Sequence, residues 1–325
     1  RFIVVQSGAR ETYIRNIALI KAMNEKLPNG TNLANTLIDM LYLGKEAVYR
    51  RLRGEVPFTL AEAAMISQKM GVSLDKLAGT NVYSNAIFDL NIIRQTDPLE
   101  TYYSIVDNYV KIFRDLNHDP SSELCTSSNM IPQTFYLKYE LLSKFRMFKW
   151  IYQFEKIDIE KHFEDIEIVD KLLEKQREFV RESQEFQHTE YIWDNKLFIY
   201  LINDIKYFAS VHLISQEYVQ KLKKELLQLL NELEEIATRG TFKTGREVCI
   251  YISNINFEAT YSYIASSAYH ISLVRVFAIN SFATRDEQVF NSVKEWIHSL
   301  KKFSTLISQS GEMQRIKFFK TQREI

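Results

Sequence analysis

Along residues 31–77 apolar positions return every three or four residues, and glycines and capping residues cut the pattern into short helices. Leu33, Leu37 and Leu41 form one stripe, with Thr31 or Asn32 placed to cap its start. Gly44 breaks the chain, and Lys45 to Leu52 predicts a second helix that turns Val48 and Leu52 toward a core. Glu46, Ala47, Arg50 and Arg53 then point outward, with Tyr49 and Arg51 on the flanks, and Gly54 supplies a left-handed stop. Thr59 opens a third helix with its apolar face at Leu60, Ala63, Ala64, Ile66 and Met70. Gly71 ends it, and Ser73 caps a short helix containing Leu74 and Leu77.

Behind this segment, residues 79–97 read as a connector, and Asp97-Pro98 starts a new helix with cap and proline in the usual order. Helical periodicity then predicts helices over 98–116, 132–154, 162–187, 192–212 and 215–239, with a loop rich in Asp, Pro and Ser at 117–131. In 215–239, Val219, Leu222, Leu226, Leu229, Leu233 and Ile236 make a coiled-coil seam. Leu227 and Leu230 widen that face and favour packing inside a bundle over a dimer seam. After Gly240 the runs Val248–Ile252, Ala259–Ile264 and His270–Phe277 turn β-branched and aromatic and predict a small antiparallel meander. A helix capped by Asp286 and a basic tail from Lys317 to Arg323 follow. The expected architecture is mainly α. It comprises a helix-turn-helix domain over 1–78, a connector, a helical bundle over 98–240, and a small α+β segment over 241–325 carrying the meander near 248–277.

Composition supports real cores: of 325 residues 46% are apolar and 13% aromatic, while nine glycines and five prolines favour long helices. The net charge is zero but unevenly spread. Residues 1–80 hold 11 Lys+Arg against 7 Asp+Glu, a net of +4, and the rest hold 30 against 34, a net of −4. A basic front and an acidic back fit a nucleic-acid-binding head on a body not drawn to DNA. Cys125 and Cys249 are too few for a disulfide framework and read as buried thiols in a reducing cytoplasm. No apolar run approaches the roughly 18 residues of a membrane span. The run Phe2-Ile3-Val4-Val5 is too short for a signal-peptide core. Asn29-Gly30-Thr31 matches a glycosylation sequon but reads equally as a turn. The chain opens on Arg1 and not on methionine, so a few residues are expected to precede it.

The outward face of the second short helix carries the chemistry. An α-helix fits the DNA major groove, where arginine donates two hydrogen bonds to guanine and a carboxylate accepts from cytosine. Arg50 and Glu46 offer those groups, and Lys45, Arg51 and Arg53 can neutralise flanking phosphates. The alternative is a solvated helix with an ordinary Glu46–Arg50 pair. This stretch resembles the lambda-repressor-like (Cro/cI, or XRE) helix-turn-helix regulators. The Leu33-Ala34 pair looks like that family's opening of the first motif helix. Arg50 to Gly54 with Pro57 looks like its helix-end glycine and following loop, and Ile66 to Leu77 looks like its closing helices. The resemblance spans roughly residues 12–78. It implies double-stranded DNA as partner, read by Lys45, Glu46, Ala47, Tyr49, Arg50, Arg51 and Arg53, and a homodimer on inverted repeats. Leu33 to Gly54 is longer than the family's spacing, which predicts a turn other than its standard tight one.

Elsewhere the chain offers little chemistry. The six histidines lack metal-binding spacing. Gly240 to Gly245 has the glycine spacing of a phosphate loop, but Arg246 and Glu247 stand where that loop needs Lys and Ser/Thr. Ser73-Leu-Asp-Lys76 and Ser299-Leu-Lys-Lys302 match S-x-x-K without supporting motifs, and the charged helices over 155–187 read as solvated faces. Aromatics from Phe135 to Phe154 read as core before they read as a ligand pocket. No catalytic residue, metal site or cofactor is implied. The expectation is a cytoplasmic, dimeric transcriptional regulator whose carboxy-terminal body dimerises and senses an unknown ligand or partner. Two alternatives stand beside it: a helical scaffold protein that does not read DNA, and a peptide or small-molecule receptor.

Overall fold

The computed structural model describes residues 2–27, 31–74, 77, 86, 88–91, 98–154, 162–277 and 280–325. The Asp97 cap, the Asn29-Gly30 turn, most of the 79–97 connector and part of the helix after Ser73 lie outside them. The chain divides into two compact units, residues 1–87 and 88–325.

The first unit is a cluster of helices: α1 (Phe2–Lys26), α2 (Leu33–Leu41), α3 (Lys45–Leu52) and α4 (Leu60–Met70). Its core takes Leu19 and Met23 from α1, Leu37 and Leu41 from α2, Val48 from α3 and Ile66 from α4. Each helix is punctuated as the sequence demands. The Asn32 side chain accepts from the Ala34 and Asn35 amides and opens α2. Thr59 and Glu62 close a full capping box on α4. Gly71 ends α4 in the left-handed region at φ 67°.

The second unit is not the mainly α body with a small antiparallel meander that periodicity predicts. Among the described residues it is built on an eight-stranded mixed sheet with strand order β1-β7-β6-β5-β2-β3-β4-β8. The strands are β1 (Asp89–Asn91), β2 (Glu123–Ser128), β3 (His188–Asp194), β4 (Val248–Ser253), β5 (Tyr261–Ala265), β6 (His270–Phe277), β7 (Asn280–Thr284) and β8 (Ser304–Leu306). β2, β3 and β4 are mutually parallel, and the remaining pairs are antiparallel. Strands from 98–240 and from 241–325 share this one sheet, so these ranges are not separate domains. The expected runs near 248–277 do form strands, yet β4 pairs with β3 and β8 and never meets β5. The loop expected over 117–131 contains β2, and the helix expected over 192–212 begins with β3. An all-α description of the chain is therefore overturned.

Parallel strands need long crossovers, and helices supply them. Between β2 and β3 run α6 (Gln133–Tyr136), α7 (Glu140–Phe154) and α8 (Asp170–Ser183). Between β3 and β4 run α9 (Ile199–Ser210) and α10 (Gln216–Arg239). With α5 (Pro98–Asn117) and α12 (Glu312–Glu324) they cover one face, burying Phe113, Phe135, Phe145, Trp193, Leu229 and Phe319. The other face carries α11 (Glu287–Leu300), which packs Phe290 and Ile297 on Cys125, Ile192 and Tyr263. Leu222, Leu229, Leu233 and Ile236 of the α10 seam are consumed in this core, as its width predicts. Val219 and Leu226 of the same seam are only half-buried against that core, and Leu227 is exposed.

Candidate nucleic-acid interface

The first unit presents α3 through a tight turn, Tyr42–Gly44, where the long Leu33-to-Gly54 spacing predicts a looser one. Tyr42 takes the left-handed conformation (φ 54°) that reverses the chain between α2 and α3, and the residue is 85% exposed. At its far end α3 stops at Arg53, and Gly54 follows at φ 76°. Asn16 of α1 fixes this end: its Nδ2 donates to the Arg51 carbonyl at 3.3 Å and its Oδ1 accepts from the Phe58 amide at 3.1 Å.

Val48 is fully buried and Leu52 partly so, which leaves Lys45, Glu46, Arg50 and Arg53 exposed on the outward side. Ala47 and Tyr49 are half-buried at its margin. The Lys45 ammonium lies 6.0 Å from the Tyr49 ring centre. Asn35 of α2 and Tyr42 are also exposed beside these elements. Sequence reasoning passed over both, although Tyr42 carries a signal in its place at the helix break.

The arginines of α3 have different surroundings. Arg51 turns inward and makes a two-pronged ion pair with Glu62 of α4, its Nε and Nη2 donating at 3.0 and 2.8 Å, and its Nη1 donates to the Ala47 carbonyl. Both side chains of the pair are about 15% exposed or less. Partial burial alone would raise the Glu62 carboxyl, but donation from Arg51 and the Thr59 amide holds it below its ordinary value. Arg51 therefore ties α3 to α4 and is not presented to phosphate. Arg53 donates to Glu55 at 2.6 Å and to Glu46 at 3.0 Å, and Arg50 lies 3.5 Å from Glu55. Hydrogen bonds from Arg53 lower the Glu55 carboxyl, and those to Glu55 and Glu46 raise the Arg53 guanidinium. Two arginines and two glutamates thus neutralise one another on an exposed face. Such exposed pairs are each worth about 0–1 kcal/mol, so a phosphate or base edge displaces them at small cost.

Other motifs resolve into structure. Gly240 caps α10, and the chain through Gly245 (φ 86°) makes a tight turn closed by Phe242 donating to the Arg246 carbonyl. Ser299 donates back into its own helix at Trp296. A further cluster lies between the sheet and α11: Cys125, Glu190 and His298 offer ligand atoms within 4.8 Å of one another. Lys301 pairs with Glu190 at 2.5 Å, the Tyr263 hydroxyl meets His298 Nε2 at 2.8 Å, and Lys294 pairs with Glu123 beside them. Burial pushes the Cys125 thiol up, and Glu190 adds to that. Burial together with Lys301 lowers His298. The ammonium groups of Lys301 and Lys294 already neutralise Glu190 and Glu123 beside this cluster.

Among the described residues, no helix is long and apolar enough to cross a membrane. No protein-family model, curated protein or solved structure matches this chain.

Proposed function

We propose that the protein is a sequence-specific DNA-binding transcriptional regulator that works as a homodimer in the cytoplasm, with the body over 88–325 serving dimerisation and sensing. The supporting observation is α3 itself: set against α2 by the Tyr42–Gly44 turn, anchored by Val48 and Arg51, and offering Lys45, Glu46, Arg50 and Arg53 outward. Arg50, in the last turn of α3, is the base reader, with Glu46 one turn before it and Tyr49 beside it. Lys45 and Arg53 at the ends of α3 meet phosphate, and Ala47 leaves room for close approach. A single unit of this kind covers too few bases for useful specificity, so two copies read half-sites about one helical turn apart.

One observation favours a second reading, a protein-interaction module. Glu46 and Glu55 cancel Arg50 and Arg53, which leaves Lys45 as the uncancelled charge of that patch. Selection of bound sequences from random duplex DNA with the whole chain separates the two. A regulator yields a preferred inverted repeat, with affinity falling with salt at a log–log slope of about −0.9 per phosphate contact. Arg50→Ala should cost about 1–3 kcal/mol and relax preference at one position of each half-site, whereas Arg53→Ala weakens all sequences alike. Absence of duplex binding at low salt rejects the regulator in favour of the interaction module.

A further inference from the structure

The body holds a cationic group with no counterion. Arg275 lies on β6 beside a bulge between Arg275 and Phe277, a feature that re-aims side chains on a strand. Its backbone amide donates to the Thr260 carbonyl at 3.0 Å. The residue as a whole keeps partial exposure, but its Nε and Nη1 are sealed from solvent without a hydrogen-bond acceptor. Among the described residues no carboxylate forms an ion pair with it. Burial, and then the charge of Arg146, lower its pKa to about 10. Buried charge without a partner is costly, and proteins seldom keep it without a use.

Arg275 lines two hollows. One, of about 210 Å³, is lined by Arg146, Trp150, the exposed Glu258, Thr260 and Arg275. Lys149 also lines it but is paired with Asp204. The Arg146 guanidinium lies 5.6 Å from the Tyr136 ring centre, with Nη1 near Met130 Sδ. The other hollow, of about 110 Å³, is lined by the apolar Ile105, Val106, Phe113, Leu124 and Leu273. Ser128, also on its wall, has a buried hydroxyl without a partner. Cationic donors beside an apolar recess match a molecule with an anionic head and a short greasy tail. A cavity near 150 Å³ holds a benzene ring, so the tail is limited to roughly four to six carbons.

We propose that the cleft around Arg275 binds a small organic anion, its head on the guanidinium and its tail among α5, β2 and β6. The proposal gives the ligand class for the sensing role and in that sense rests on the reading above. Its test uses the whole chain without DNA, so its failure is distinguishable from a failure of duplex binding. Thermal-shift and calorimetric titrations would use butyrate, hexanoate, benzoate and butyl phosphate, each against its neutral amide or alcohol, with inorganic phosphate as a tail-free probe. At least one tailed anion should bind saturably at or below millimolar concentration, and its neutral counterpart should not. The carboxylate and phosphate arms show which head is preferred. Arg275→Met should raise the melting temperature of the free protein, because it removes an uncompensated buried charge, and should weaken anion binding at least about thirtyfold. Arg275→Lys keeps the charge but loses the fork, and should weaken binding with the near-UV spectrum unchanged. No binding by any tailed anion, equal binding of inorganic phosphate, or wild-type affinity in either folded variant would overturn the proposal.

Discussion

Replacing Arg51 by Met keeps most of the apolar stem and removes the charge that Glu62 faces. The remaining carboxylate keeps the Thr59 amide at 2.8 Å but loses both guanidinium contacts. Breaking a fully buried pair on one side costs about 3–5 kcal/mol. These side chains keep 14% and 15% of their exposure, so about 2–3 kcal/mol is the appropriate figure. Amide hydrogen exchange on the whole chain reads this locally. Amides of α3 and α4 should exchange about 30- to 150-fold faster in Arg51→Met, while those of the sheet stay unchanged. The sign of the pH dependence follows from the depressed Glu62 carboxyl. Its contribution is fully present above the ordinary carboxylate value and is lost as pH falls through the lower folded value, so the gap between wild type and variant narrows in acid. Glu62→Gln in the same background removes the stranded charge and should recover part of the loss. If Arg51→Met instead left α3 protection intact and lowered the salt slope of duplex binding by about one, Arg51 would be a phosphate contact and its role in tying α3 to α4 would be refuted.

Two further outcomes follow from the same geometry. Gly54→Ala places a Cβ 2.9 Å from the Tyr13 ring at φ 76°, and should destabilise the end of α3 by at least about 1 kcal/mol, visible as faster exchange of the Arg53 and Gly54 amides. Alkylation at mildly alkaline pH should modify the half-buried Cys249 slowly and spare Cys125 until the chain unfolds, since burial raises both thiols and Cys125 is almost sealed; mass spectrometry of native and denatured protein checks this.

Helices α2, α3 and α4 were legible in the sequence because their signals are local, whereas α1, which brings Leu19 and Met23 to the same core, was not read from it. Asn32, Thr59, Gly54 and Gly71 each act within a few residues of their own position. The inward turn of Arg51 was not legible, because Glu62 lies on another helix. The sheet was hidden by its own centre. β2 reads Glu-Leu-Cys-Thr-Ser-Ser, too small and polar to look like a strand, yet it is buried between β3 and β5 and its Thr126 bonds Ser262 across the pair at 3.0 Å. A strand covered on both faces need not alternate. From β3 into α9, Ile192, Trp193, Leu197, Phe198 and Ile205 run together as apolar positions, and only the turn at Asp194, which accepts from the Lys196 amide, separates strand from helix. Arg275 gave no sign at all, because a lone cation within a β-rich run looks like any outward strand residue until its surroundings are seen.

The three-residue β1 sets a timetable for the body. Its partner β7 lies about as far away along the chain as the body allows, Asn91 facing Ser281 across an interval of 190 residues. During synthesis the first unit has every partner it needs within its own short stretch and can pack as soon as it emerges. β1, leaving the ribosome next, must wait while all the crossover helices are made before its edge exists. For that interval the cell holds a finished head trailing an unfinished sheet, whose other border, β8, is closed later still.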